Sequence, residues 1–170
     1  MRKLLAGVAV LAQAGSAAAE ESYDQLQLDL GLSVIAVAYE RAVTDHVALQ
    51  LEGGIFSTYF APWFDVGDKV MGFSGGLRAS YFLRADRRGP YLAPFARVGR
   101  GTAERDELEG TAVGVTAGVF AGWAFGLTDK LDVRIGGGVK YMHYETDVGG
   151  ETLGLSTPFV AIDAVVGYRL

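Results

Sequence analysis

The segment GVTAGVFAGWAFGLTDKLDVRIG, residues 114–136, decides which solvent surrounds this chain. Its first half carries no charge, and Gly114, Gly118, Gly122 and Gly126 recur every fourth residue, the spacing of a small-residue contact face on a membrane helix. Four is also twice two. On a β-strand the same glycines share one face, and Val115, Ala117, Val119, Ala121, Trp123, Phe125 and Leu127 cover the other.

The next residues choose between these readings. Gly110 to Thr128 alone is an uncharged window long enough for a membrane helix. From Leu131 to Tyr144, however, Leu131, Val133, Ile135, Gly137, Val139, Tyr141 and His143 alternate with Asp132, Arg134, Gly136, Gly138, Lys140, Met142 and Tyr144. A helix would spread Asp132, Arg134 and Lys140 around its cylinder, whereas period two keeps them on one face. The segment therefore reads as a strand, and a charged residue on its apolar face would meet lipid. Val119→Arg should block insertion, and Gly118→Ser should be tolerated because its side chain enters the interior.

The same alternation recurs along the chain. Blocks at 46–59, 69–84, 90–102, 111–126, 131–146 and 154–169 give six strands. Ahead of them, LQLDLGLSVIAVAYE places Leu26, Leu28, Leu30 and Leu32 at even positions and then Ile35, Val37 and Tyr39 at odd ones. That phase change marks a turn near Ser33 and Val34, or a bulge in one long strand. An up-and-down barrel with both termini on one side needs an even number of strands, which favours the turn and a total of eight. The compact joints ERAVTDH, RADRRGP and LTDK alternate with YFAPWFDVGD, TAERDELEG and DVGGETLG, expected to be longer loops.

Residues 1–19 read as a secretory signal: Arg2 and Lys3, an apolar run, then Ala17 and Ala19 in a cleavage arrangement. Residues 20–170 then form the barrel domain. Losing Arg2 and Lys3 takes the formal charge from -5 to -7, which argues against nucleic acid as a partner. The absence of cysteine excludes disulfides, thiolate chemistry and a lipoprotein anchor. Twenty-four glycines with four prolines in a chain that is 50% hydrophobic point to many strands rather than to disorder.

Charge cannot face lipid cheaply, so Asp29, Glu40, Glu52, Asp132 and Asp163 are expected inside with Arg78, Arg97, Arg134 and Lys140. An eight-stranded barrel is just wide enough for side chains to fill it, and such charges can pair across a polar core rather than line a channel. Tyr39, Tyr59, Phe60, Trp63, Phe64, Tyr81, Trp123 and Tyr141 fall near strand ends, where aromatic girdles belong. The apolar stretch Phe60, Trp63 and Phe64 is the candidate contact for lipid or an extracellular partner. Glu104, Asp106, Glu107 and Glu109 read as a solvated acidic loop, with divalent-cation bridging to surface lipid as the sharper alternative.

On its alternation, the hairpins YERAVTDHVAL and FGLTDKLDVRIGGGVKY and its final strand, the chain from Gln25 to Leu170 resembles the small eight-stranded outer-membrane barrels of the OmpA/OmpX-like superfamily. Its end, VVGYRL, puts Tyr168 two positions inside a terminal leucine, where such strands often close on an aromatic. The resemblance implies an all-β transmembrane barrel in the outer membrane, in contact with its lipid and lipopolysaccharide, with no cofactor. It also raises the lipid A deacylases and palmitoyltransferases, which use a histidine with a serine near the outer leaflet. His143, weighed with Glu145, Glu151 and Ser156, has lipid-facing parity and stands in MHYET, without an H-x-S motif; His46 falls at a periplasmic turn. The expectation is a non-enzymatic envelope protein, structural or binding through its loops. A lipid A-modifying enzyme and a narrow ion-conducting pore are the alternatives.

Overall fold

The computed structural model describes residues 23–58, 68–105 and 108–170. The signal segment, the loop residues Tyr59, Phe60, Trp63 and Phe64, and Asp106 and Glu107 lie outside the described residues. Eight strands follow in order: β1 (Asp24–Gly31), β2 (Val34–Ala42), β3 (Val47–Ser57), β4 (Lys69–Phe82), β5 (Gly89–Arg105), β6 (Leu108–Gly126), β7 (Leu131–Val148) and β8 (Glu151–Arg169). Each pairs antiparallel with the next, and β8 returns to β1, closing the barrel.

Alternation sets every strand's two faces. Leu26, Leu28 and Leu30 of β1 point outward while Gln25, Gln27 and Asp29 are buried, and in β7 Ile135, Val139 and Tyr141 point outward while Arg134, Lys140 and Met142 are buried. The phase change in the first block is a two-residue turn: Gly31 pairs with Val34 across Leu32 and Ser33. Two of the short joints share one device. Thr44 accepts hydrogen bonds from the backbone N–H groups of His46 and Val47, and Thr128 does so from Lys130 and Leu131. The hydroxyl satisfies donors that the reversing chain leaves without a ladder partner.

Two expected long loops are mostly strand. β5 runs to Arg105 and β6 starts at Leu108, while Val148 pairs with Glu151 across Gly149 and Gly150, whose φ values are 62° and 90°. Two consecutive residues at positive φ make a hairpin turn that matches strand twist. The acidic residues of these segments alternate like the rest; outward Arg100, Glu104, Glu109, Glu145 and Asp147 mark strand that has left the apolar belt, not strand that has ended. The barrel is therefore lopsided. β5 to β8 rise well beyond the span of about 9 to 11 residues that a membrane requires, whereas β2 barely reaches it and β1, with 8 residues, falls just short.

The interior glycines also correct an expectation. A Cβ on Gly118 would stand 2.4 Å from the Val139 carbonyl oxygen and 2.8 Å from Lys140 Cα, so Gly118→Ser collides with the neighbouring strand before it reaches the lumen. By contrast, a Cβ on outward Gly137 meets nothing closer than 3.8 Å. Glycine at 118 lets β6 and β7 approach on the concave side of the wall.

Candidate functional site: the lumen and its outer rim

The inward positions of the eight strands converge on a charged layer. Asp29, Glu40, Glu52, Arg78, Arg97, Asp132, Arg134, Lys140 and Asp163 are all buried inside the barrel. Arg78 of β4 donates to Asp29 of β1 at 2.7 Å and to Asp163 of β8 at 2.8 Å. Arg97 of β5 joins Asp29 at 3.0 Å and grips Glu52 of β3 at 2.5 and 3.1 Å. Arg134 of β7 takes both oxygens of Glu40 on β2, at 2.5 and 2.7 Å. These two-pronged contacts match guanidinium to carboxylate geometry, so each fixes orientation as well as charge.

Asp132 and Lys140 differ from the other charges. Asp132 lies near the end of the lumen bounded by the short joints and accepts hydrogen bonds from Tyr23 and from Gln25, the latter at 2.5 Å, while its cation, Arg169, stands farther off at 3.6 Å. Lys140 bonds the Ser33 hydroxyl at the β1–β2 turn rather than a carboxylate, and its ammonium sits 5.3 Å from the Phe159 ring centre. The other lumen cations also lie on rings: Arg78 on Phe120, Arg97 on Phe95 and Arg134 on Phe82, at 4.8, 4.6 and 4.9 Å. Cation–π contact stabilises charge where water is excluded.

The core is consequently less polar than the charges alone suggest. An apolar cluster containing Phe56, Val70, Met142, Tyr144, Leu153 and Leu155 fills the outer end, and a second containing Phe82, Tyr91, Phe95 and Phe120 packs among the ion pairs. The Tyr91 hydroxyl bonds Asp163, and Thr116 donates to Tyr144 at 3.2 Å. Inward parity was the available signal for Phe82, Phe95, Phe120, Met142 and Tyr144, but with charge as the only guide these positions are silent.

At the outer rim, Asp68 draws three elements together. It receives two bonds of 2.6 Å from Arg105 at the end of β5 and another of 2.6 Å from the Gly154 N–H of β8. The Arg105 hydrogen bond, aided by that of Gly154, holds the Asp68 carboxyl below the usual aspartate range against the opposing effect of burial.

On the outward face, His143, Glu145 and Ser156 do meet. Ser156 Oγ lies 3.1 Å from His143 Nδ1 and 2.8 Å from the Tyr141 hydroxyl, and Glu145 Oε1 lies 3.5 Å from the same Nδ1. A hydrolytic relay requires serine on one ring nitrogen and the acid on the other. Here both use one nitrogen. Glu151, at the start of β8, is 4.0 Å from Arg105 instead.

No family model matches the chain, and no curated protein sequence matches it. Solved structures do resemble it. The N-terminal β-barrel domain of Pseudomonas aeruginosa OprF superposes with a TM-score of 0.57 at 17% identity, covering 88% of this chain and 96% of that domain. Neisserial surface protein A, NspA, gives a TM-score of 0.54 at 12% identity, with coverage of 88% and 94%. The fold is that of the small outer-membrane barrels. At such identity the likeness lies in strand number, order and closure rather than in shared side chains, so the lumen chemistry of this barrel has to be argued from its own residues.

Proposed function

We propose that this chain is an exported outer-membrane protein that acts as a packed, non-enzymatic barrel, contributing to the envelope or presenting its outer rim to a partner. The observation that carries this reading is the filling of the lumen. Arg78, Arg97 and Arg134 tie non-adjacent strands together across the lumen through Asp29, Asp163, Glu52 and Glu40, and an apolar cluster stands above them. A permeating ion would have to break buried ion pairs and then cross Phe56, Met142 and Tyr144.

The outward face supports a membrane setting. Leu131, Val133, Ile135, Val139 and Tyr141 of β7 give an apolar band of the height a tilted strand needs, with His143 and Glu145 beyond it. Outer-membrane lipid and lipopolysaccharide would surround that band. Contact with an extracellular partner through Phe60, Trp63 and Phe64 rests on their apolar sequence.

Planar-bilayer recording tests the packed lumen. No stepwise conductance is expected. A steady conductance that changes with Glu52→Lys would replace this reading with that of a pore. Recovery of the chain with inner-membrane fractions would refute the location.

The meeting of His143 and Ser156 keeps lipid modification as the second reading. Altered lipid A acylation in the host, lost on Ser156→Ala, would establish it; the shared Nδ1 contact favours no change.

A further inference from the structure

The end of the barrel bounded by the short joints carries a separate feature that the packed lumen does not use. Tyr23 precedes β1 and anchors its hydroxyl on Asp132. The guanidinium carbon of Arg87 stands 3.8 Å from the Tyr23 ring centre and that of Arg169 stands 3.9 Å from it. Two guanidiniums cannot both occupy those positions over one face, so they cover opposite faces. Their charges are held apart by the thickness of the sandwich.

This arrangement lines a cleft of about 620 Å³ together with Arg88 and Asp86. Arg88 folds inward over Gly126, where a Cβ would come within 2.3 Å of its Nε. Asp86 is already engaged by Arg84 at 3.0 Å and by the Arg88 N–H at 3.2 Å. Arg169 stands 3.6 Å from Asp132 through one terminal nitrogen, but among the described residues its Nε, like Arg87 Nη1, is shielded from solvent without an acceptor. Arg87 also has φ 55°, the left-handed region that a long side chain rarely adopts. Strained backbone that aims a charged group into a cleft suggests a binding role. Burial disfavours the Arg87 cation and outweighs the support it has from Tyr23 and Glu40, with the Arg169 charge adding to the deficit, so a further anion close to Arg87 is a favourable partner.

We propose that this mouth binds a small ligand bearing two anionic groups, phosphate or carboxylate, one for each guanidinium flanking Tyr23. A single carboxylate is too short to serve both arginines. Guanidinium forks bind either oxyanion type through charge-assisted hydrogen bonds, and the loss of one fork should weaken binding about tenfold or more.

The test is calorimetric titration of the refolded full chain in uncharged detergent with inorganic pyrophosphate and, separately, with glutarate. Saturable binding of at least one is expected, weakened about tenfold or more by Arg169→Gln and by Arg87→Gly. Glycine relieves the strained φ, so Arg87→Gly should leave the heat-modified gel shift intact while losing affinity. Pyrophosphate alone would assign a phosphate source and glutarate alone a carboxylate source. No saturable binding of either, or binding unchanged in both variants, overturns the proposal. Binding that emerges only in E20Q/E21Q would overturn it too, because the acidic residues that precede Tyr23 would then be the anions these arginines serve.

Discussion

Arg78 and Asp163 meet at 2.8 Å across the barrel, from β4 to β8, and neither side chain has appreciable access to water. The second arm of Arg78 reaches Asp29, so one cation serves two carboxylates on adjacent strands. Removing it leaves buried Asp163 without a cation and Asp29 with Arg97 alone. Arg78→Met should cost about 3 to 5 kcal/mol, the range for breaking one partner out of a buried pair. Urea unfolding followed by gel mobility would measure it. Adding Asp163→Asn should recover part of the loss; no recovery would mean that guanidinium packing on Phe120 matters more than charge.

The lipid-facing assignment predicts a contrast on β7. Val139→Arg puts a guanidinium in the apolar belt and should cost about 2 to 4 kcal/mol if that position lies near the midplane. Gly137→Ser, also outward, should fold almost normally because its Cβ has room. Equal yields of heat-modifiable barrel from both variants would contradict the assigned faces.

Gly118→Ser tests close approach rather than solvent. Its Cβ must displace the Val139 carbonyl, so its refolding yield should fall below that of Gly137→Ser. Comparable yields would show that β6 and β7 can separate there without penalty.

The rim has its own acid dependence. Asp68 is held below the usual aspartate value by Arg105. A carboxyl depressed in the folded state contributes stability fully above its unfolded value, about pH 4, and loses it as the pH falls through the lower folded value. Asp68→Asn should therefore lower the thermal midpoint at neutral pH and change it little once the pH is below the folded-state value. A difference that persists in acid would assign the effect to hydrogen bonding alone.

Much of the architecture was legible because one rule acts on every residue of a strand. Arg134 and Lys140 cannot face lipid, and their parity fixes all of β7; Leu30 and Ile35 then expose the first turn by changing phase. Composition misled where two causes share a signature. Glu104, Glu109 and Asp147 look like loop residues, yet they are outward strand positions beyond the belt. Gly118 looked like a vacant inward site, although backbone approach, invisible in a single chain, demands it. Tyr23 and its arginines come from the start of β1, the β4–β5 joint and the end of β8, and only closure brings them together.

The lopsided wall has a further consequence, in the timing of assembly. β1 meets β8 only from Gln25 opposite Arg169 to Asp29 opposite Val165, whereas β7 and β8 pair along nearly their whole length. That short seam joins almost the most distant parts of the sequence, so it bears the largest loop-closure entropy with little ladder to offset it. Closure is expected to be the last and slowest event, and reopening to begin at the same seam. Amide exchange in β1 should then outpace that in β6, and uniform protection around the wall would argue against it.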